Sequence, residues 1–165
     1  MGLKLYKEYC SYIPALVKAL NTVDGAVLEM GSGIYSTPFL HWLCFDSQRE
    51  LVTYESDKQF YDMAKQCESD FHKVHLVSDW DDAKIERGWA VALVDHAPTI
   101  RRKDDIRRLA DFARCLVVHD TQGRSNKHYH YDEIYPLFKY RRGYGRGVLP
   151  QTIVLSNYID VTSWF

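Results

Sequence analysis

Five short apolar segments, separated by stretches with helical periodicity, constrain the fold of this chain more than any other feature of its sequence. They are Val27–Met30, Leu51–Glu55 and residues 74–77, 90–95 and 115–120. Segments of this length and composition are typical of buried β-strands. Strands that alternate with helices favour a parallel sheet that is covered by helices on both faces. The sequence therefore predicts an α/β fold.

Helices and a terminal hairpin complete the predicted architecture. Helical spacing occurs in residues 3–22, which Pro14 interrupts, and again in residues 37–45, 57–68, 82–86 and 99–113. Two antiparallel strands are predicted for residues 138–146 and 151–161, joined through Gly145, Arg146, Gly147 and Pro150. We expect one domain over residues 1–165, with residues 1–25 as an N-terminal helical segment.

Composition limits the cellular setting. The longest apolar runs fall well short of the ~20 residues that cross a bilayer, and the N-terminus does not resemble a signal peptide. The four cysteines have no short spacing, which argues against a zinc knuckle or a disulfide framework. They are Cys10, Cys44, Cys67 and Cys115. We therefore expect a cytoplasmic protein with free thiols and no membrane partner.

Charge is unevenly divided along the chain. Residues 1–98 contain nine Lys and Arg against fifteen Asp and Glu, a balance of −6, whereas residues 99–165 contain twelve against seven, a balance of +5. A basic half can face an anionic substrate or nucleic acid. Solvated helix faces explain the same charges more simply, and both interpretations stay open from the sequence.

Each of the five predicted strands ends in a polar residue. These residues are Glu29, Glu55, Asp79, Asp95 and the pair His119-Asp120. In open parallel sheets the ligand binds beyond the carboxyl ends of the strands. The polar residues are therefore expected to border one site rather than to act as separate helix caps.

The exit of the first strand is a glycine turn, Glu29-Met30-Gly31-Ser32-Gly33, followed by the start of a helix. Glycines let the backbone turn sharply and approach a ligand closely. The first N–H groups of the following helix point back towards the turn. Glu29 needs donors around it, because a buried carboxylate is costly when it has no partner.

The segment Leu28–Gly33 resembles the first motif, E/D-x-G-x-G, of the class I S-adenosylmethionine-dependent methyltransferases, and the resemblance extends over nearly the whole chain. It implies a three-layer Rossmann-like sandwich with a mostly parallel seven-stranded sheet and a C-terminal antiparallel hairpin. It also implies S-adenosylmethionine as cofactor. The competing nicotinamide dinucleotide fingerprint fits less well, since Ser36 replaces its third glycine and an acid precedes the first.

The resemblance assigns a set of residues to the cofactor. Glu55 would bind the ribose hydroxyls, and Asp79 would read the adenine amino group. Trp80 either stacks beside the purine or belongs to the core. The full predicted set is Glu29, Gly31, Ser32, Gly33, Tyr35, Ser36, Thr37, Glu55, Ser56, Asp79, Trp80 and Asp95.

The fourth and fifth strand ends are expected to face the methyl acceptor, through Asp95, His96, His119 and Asp120. His96 is a candidate general base, because the ordinary pKa of histidine lies near neutrality; a loop-stabilising His96 is the alternative. Magnesium held by Asp95 and Asp120 is a minor alternative that the metal-dependent members of the family suggest. Residues 121–131, which contain His128, Tyr129, His130 and Tyr131, are predicted to cover the substrate as a loop.

We therefore predict an enzyme that methylates a small molecule on oxygen or nitrogen. One alternative is a cofactor-binding protein that is non-catalytic or needs a partner, such as a second copy in a homodimer, to complete its pocket. A nucleic-acid methyltransferase ranks lower, because Asp95-His96-Ala97-Pro98 only partly matches the Asp-Pro-Pro-Tyr motif and lacks its aromatic residue.

Overall fold

A single mixed sheet of seven strands forms the centre of the protein in a computed structural model, which describes residues 7–145 and 149–165. The strands are β1 (Val27–Met30), β2 (Leu51–Glu55), β3 (His72–Leu76), β4 (Trp89–Val94), β5 (Ala113–Val118), β6 (Tyr140–Tyr144) and β7 (Thr152–Ser156). Their spatial order is β3-β2-β1-β4-β5-β7-β6. Strands β1 to β5 are parallel, and β7 runs antiparallel to both β5 and β6.

Short helices connect these strands. The α-helices are α1 (Ile13–Leu20), α2 (Ser36–Asp46), α3 (Lys58–Ala64), α4 (Arg102–Leu109) and α5 (Gly123–His128). Single 3₁₀ turns lie at Lys7–Cys10, Lys65–Cys67, Trp80–Asp82, Thr99–Arg101, Tyr131–Glu133 and Tyr135–Leu137. Within residues 7–145 and 149–165, no helix combines the length and the hydropathy that crossing a membrane requires.

The predicted fold class is confirmed, including the parallel sheet and the antiparallel C-terminal hairpin. The N-terminal helical segment is divided, as Pro14 predicted, and Pro14 lies in the first turn of α1. Its residues 3–6 lie outside the described residues, as do Arg146 and Gly147 of the predicted hairpin turn.

Three local predictions were wrong. The strand predicted for residues 151–161 ends at Ser156, and residues 157–161 form bends and irregular backbone. The predicted helix at residues 82–86 is absent; Ala83 and Ile85 are both fully buried, a spacing of two that suits extended backbone. The predicted loop at residues 121–131 contains helix α5, and Tyr131 is fully buried in the core instead of covering a substrate. The sequence did not predict this helix, because the stretch is polar and shows no apolar periodicity.

The sheet separates two apolar layers. Alternate residues of β1 face opposite sides, so that Leu28 and Met30 pack in one layer and Val27 packs in the other, beside Leu16 and Leu40. Glu29 shares its side with Val27 and is fully buried. A carboxyl group is therefore built into an otherwise apolar layer, directly beneath the glycine turn.

Gly31 allows the exits of β1 and β4 to pass each other. Its φ is +87°, and a Cβ placed there would lie 2.5 Å from Cα of His96 and 2.8 Å from the carbonyl carbon of Asp95. Contacts this short with backbone atoms exclude any side chain. The glycine of the motif is thus required by close backbone packing, which holds the Asp95-His96 segment against the turn.

Candidate active site

A cavity of about 470 Å³ lies at the carboxyl ends of β1, β2, β4 and β5. The residues that line it are Tyr9, Tyr12, Gly31, Ser32, Gly33, Ile34, Tyr35, Glu55, Asp57, Phe60, Asp95, His96, Ala97, Arg102, His119, Asp120 and Pro150. The polar strand ends that the sequence singled out therefore do meet around one space, apart from Glu29 and Asp79.

Glu55 links the glycine turn to the exit of β2. Its Oε2 accepts hydrogen bonds from the backbone N–H of Ser32 at 2.7 Å and from the Ser32 hydroxyl at 2.9 Å. Its Oε1 accepts from the N–H groups of Ser56 at 2.7 Å and Asp57 at 2.8 Å. The side chain is thereby fixed at the wall of the cavity, with its charge stabilised by four donors.

Glu29 lies behind the turn and does not line the cavity. Its carboxyl accepts hydrogen bonds from the hydroxyls of Thr37 at 3.0 Å and Thr53 at 2.8 Å, while the Thr37 hydroxyl accepts from the N–H of Gly33 at 3.0 Å. Burial raises the pKa of Glu29 to about 7, although hydrogen bonds from Ser36, Thr53 and Thr37 oppose this. Glu29 and Thr37 therefore stabilise the glycine turn through hydrogen bonds from its buried side.

We expect the free energy of unfolding of Glu29→Gln to rise relative to that of the wild type as the pH rises from about 4.5 to about 7. In this window the native carboxyl keeps a proton that the unfolded chain releases, so the wild-type free energy of unfolding falls as the pH rises. The difference between the two proteins should grow by about 3 kcal/mol, from ~1.4 kcal/mol for each pKa unit. Urea unfolding at several pH values measures it.

His72 also titrates in this pH range, but its effect on stability has the opposite sign to that of Glu29. The difference between the wild type and Glu29→Gln removes the contribution of His72. Its Nε2 lies 2.9 Å from the Thr53 hydroxyl, and burial lowers its pKa to about 4, so its contribution to stability rises with pH. Both proteins retain this histidine. A difference in unfolding free energy that does not vary with pH would contradict the assignment of the shift to Glu29.

Asp79 and Trp80, which the sequence assigned to the adenine, do not line the cavity. Asp79 caps the 3₁₀ turn Trp80–Asp82 and accepts from the N–H of Asp81 at 3.0 Å. Trp80 is 4% exposed; its indole N–H donates to the carbonyl of Ala97 at 2.7 Å, and its ring centroid lies 4.1 Å from that of His96. Their adenine role stays a prediction, whereas Trp80 supports the loop after β4 from the core.

Asp95, Asp120 and His119 come together around Arg102. The Arg102 guanidinium contacts Oδ1 of Asp95 at 3.0 Å and Oδ2 of Asp120 at 3.1 Å, and its Nε donates to the carbonyl of His96 at 2.6 Å. Burial alone would raise the pKa of Asp95, but the charges of Arg102 and His119 hold it below its ordinary value. The strand-end acids are thus internally neutralised by an arginine from α4.

His119 is held in its charged form by its hydrogen bonds. Its Nδ1 lies 3.1 Å from Oδ1 of Asp95, and its Nε2 lies 3.0 Å from the hydroxyl of Ser11. That hydroxyl donates its own proton to the carbonyl of Pro150 at 2.7 Å, so it accepts from His119. Both ring nitrogens therefore donate. Burial opposes the charge, but Asp95 and Asp120 raise the pKa of His119 above its ordinary value.

His96 has the opposite character. It is 1% exposed, and its Nε2 lies 3.0 Å from Oδ2 of Asp105. Its Nδ1 is buried and has no hydrogen-bond partner among the described residues. Burial lowers the pKa of His96 more than Asp105 raises it, so the ring is neutral, Nε2–H donates to Asp105, and Nδ1 carries a lone pair.

The predicted set divides clearly by position. Gly31, Ser32, Gly33, Tyr35, Glu55, Asp95, His96, His119 and Asp120 line the cavity. Glu29, Ser36, Thr37, Ser56, Asp79 and Trp80 do not, although Ser56 donates to Glu55 and the Thr37 hydroxyl accepts from Gly33. The sequence interpretation did not assign Ser11, Arg102 or Asp105 to this site; only the buried position of the last two within basic helix α4 distinguishes them.

Comparison with solved structures identifies the fold. Human methyltransferase-like protein 13 in complex with SAH aligns with a TM-score of 0.65 and 14% identity, covering 91% of this chain and 83% of that one. The O-methyltransferase TomG from Streptomyces achromogenes, in complex with SAM, aligns at 0.62 and 17%, covering 93% and 82%. The catalytic domain of hMettl16, bound to the MAT2A 3′UTR hairpin 1, aligns at 0.67 and 13%, covering 96% and 72%.

No protein-family model matches this sequence, and no curated protein matches it. The similarity is therefore one of architecture, at identities between 13% and 17% for these three structures. Strand order, hairpin and glycine turn all agree with it. The chain has the fold of the class I S-adenosylmethionine-dependent methyltransferases.

Proposed function

We propose that the protein transfers a methyl group from S-adenosylmethionine to an oxygen or nitrogen atom of a small molecule. The observation that carries the proposal is the position of Glu55. Its carboxylate is fixed between the glycine turn and the exit of β2, at the wall of the 470 Å³ cavity. A carboxylate there offers two oxygens to paired hydroxyl groups such as those of a ribose.

The cavity suits this cofactor in size and in charge. Its volume falls within the ~300–1,000 Å³ of small-molecule sites. Among the described residues that line it, four carboxylates (Glu55, Asp57, Asp95 and Asp120) stand against one guanidinium and the His119 imidazolium, a balance of −2. This excess favours a cationic sulfonium compound over a nucleotide with phosphates.

When bound, S-adenosylmethionine supplies an electrophilic methyl group that the acceptor's lone pair takes in a direct displacement from sulfur. The protein's part is to align the acceptor, exclude water and receive a proton. Arg102 and His119 fix the carboxylates of Asp95 and Asp120 beside the cavity. Because His119 already carries its proton, it is unsuited to act as the base.

His96 is the better candidate for the base, as the sequence suggested. It lines the cavity, it is neutral, and its Nδ1 has no partner within the described residues. Asp105 accepts from Nε2–H, which fixes the tautomer and stabilises the ring once Nδ1 has gained the acceptor's proton. This arrangement supports a role for His96 in catalysis and gives Asp105 a positioning role.

The residues present do not favour a magnesium site. Asp95, His119 and Asp120 offer atoms within 4.8 Å of one another. However, Arg102 already lies against the two carboxylates, and His119 is in its charged form, in which it has no lone pair for a metal. A bound cation would have to displace the guanidinium. The proposed mechanism therefore contains no step through a metal.

Isothermal titration calorimetry with S-adenosylhomocysteine tests the first step of this proposal. We expect one site per chain and a dissociation constant in the micromolar range, equivalent to about −8 kcal/mol. NADH is the control, and we expect no heat of binding from it. Binding of NADH with no binding of S-adenosylhomocysteine would overturn the assignment, since both cofactor types use related glycine turns.

A further inference from the structure

A second, larger cavity of about 910 Å³ lies beside the first one, between helix α5 and the ends of β6 and β7. Its lining includes Thr121, Asn126, Tyr135, Arg142, Gln151 and Thr152. Nothing in the proposed cofactor site uses it. Its lining contains one basic side chain and, among the described residues, no acidic one.

The basic side chain, Arg142, has no hydrogen-bond or ion-pair partner among the residues that the structure describes. Its Nε is buried without a hydrogen bond, and no carboxylate lies in ion-pair distance within residues 7–145 and 149–165. The partly or fully buried arginines of α4 and of the 3₁₀ turn before it behave differently: Arg101, Arg102 and Arg108 each contact at least one carboxylate. An unpaired, partly buried guanidinium costs stability, which is expected where a ligand supplies the missing acceptor.

Thr152 is a second unpartnered donor in the same cavity. The residue is fully buried, and its hydroxyl has no hydrogen-bond partner in the described part of the chain. In the antiparallel register of β6 and β7, Thr152 pairs with Tyr144, and Arg142 pairs with Val154. The two donors are therefore diagonal neighbours on one face of the hairpin, with Cα atoms about 7–8 Å apart. A small anion that accepts from both donors would satisfy them at once.

The two cavities share a wall. Asp120 lines the first and Thr121 the second; Pro150 lines the first and Gln151 the second. The N–H of Thr121 donates to the carbonyl of Gln151 at 2.9 Å, which joins these two segments. A molecule that extends across this wall places one end beside the strand-end cluster and the other beside Arg142.

We propose that the second cavity binds the anionic end of the methyl acceptor, a carboxylate or a phosphate monoester, through the Arg142 guanidinium and the Thr152 hydroxyl. The proposal rests on the proposed function for its direction, because it gives the acceptor a charged end and a reacting end. A guanidinium matches either group, since its parallel N–H donors meet two oxygens at once.

Nuclear magnetic resonance or calorimetric titrations with benzoate, phenyl phosphate and the neutral analogue benzamide test the proposal. We expect one or both anions to bind at least tenfold more tightly than benzamide, and the stronger of the two identifies the group. Arg142→Gln should abolish this preference, and Thr152→Val should weaken anion binding several-fold. The melting temperature of Arg142→Gln should be unchanged or higher, because no hydrogen bond is lost.

Arg114→Gln is the matched control, since it removes the same charge from an exposed position near the start of β5, outside the lining of the second cavity. We expect it to keep the preference for anions. Equal binding of benzoate, phenyl phosphate and benzamide would overturn the proposal, and so would equal losses in the two glutamine variants. Binding of a single-stranded oligonucleotide that both variants weaken alike would indicate a nucleic-acid surface instead.

These titrations do not require turnover, so the two proposals can fail separately. Absence of S-adenosylhomocysteine binding, together with Arg142-dependent anion binding, would remove the methyltransferase function and keep the anion site. Binding of S-adenosylhomocysteine, together with anion binding that does not depend on Arg142, would keep the methyltransferase function and remove the anion site.

Discussion

Glu55→Ala is expected to weaken S-adenosylhomocysteine binding by at least about 100-fold. Two hydrogen bonds from ribose hydroxyls to a carboxylate contribute about 1.5–3 kcal/mol each, and a factor of 100 corresponds to about 2.7 kcal/mol. The variant also leaves the N–H groups of Ser32, Ser56 and Asp57 without their acceptor, which loosens the turn. Glu55→Gln keeps acceptor capacity on one oxygen and should lose about tenfold.

Calorimetry on folded protein gives the test, and thermal unfolding shows how much of the loss comes from the turn itself. Asp82→Ala is the matched control, because it removes one negative charge from an exposed position outside the cavity. It should bind as the wild type does. Unchanged affinity in Glu55→Ala would remove the ribose role, whereas equal losses in both variants would point to general electrostatic attraction.

The fold was predictable because its determinants are local. The limits of β1 and β2 follow directly from apolar segments that end at a glycine or a turn residue. In β4 and β5 the strand stops before the polar residues, at Val94 and Val118, because Asp95 and His119 leave the sheet to line the cavity. Helix α5 could not be predicted from apolar periodicity, because none of its six residues is buried.

Residues of the site could be predicted only where the position of a single residue in the sequence identifies it. Gly31, Glu55 and Asp95 are identified by their position at the end of a strand or directly after it. Ser11 and His119 are 108 residues apart, so only the folded chain reveals their hydrogen bond. Arg102 lies among other basic residues of α4 and has the sequence signature of a solvated face, yet it is 4% exposed and neutralises two strand ends.

His96 is neutral and lines the cavity, as a general base must, and it is almost fully buried. Its buried Nδ1 has no hydrogen-bond partner among the described residues, which costs stability, and its other nitrogen is held by Asp105. Asp105 is itself fixed by Arg101 at 3.0 Å and Arg108 at 2.8 Å. Such an arrangement orients a ring, as a buried aspartate does for the histidine of a Ser-His-Asp triad.

We expect His96→Gln to lower kcat by about 100- to 1,000-fold while leaving S-adenosylhomocysteine affinity within about twofold, because proton transfer to a positioned base contributes ~10²–10⁴. The neutral ring is the active form, so the wild-type rate should fall as the pH drops through the pKa of His96, which burial holds below its ordinary value. The variant should lose this acid limb. The rates are measured on an acceptor that the anion titrations help to select.

Asp105→Asn separates positioning from catalysis. An amide can donate to Nε2 and move the ring proton to Nδ1, so kcat should fall about 10- to 100-fold. Since the Asp105 charge raises the pKa of His96, its removal should move the acid limb to lower pH. Asp104→Asn, a more exposed neighbour that pairs with Arg107 at 3.2 Å, is the control and should change neither quantity. An acid limb that persists in His96→Gln would assign the base to another residue.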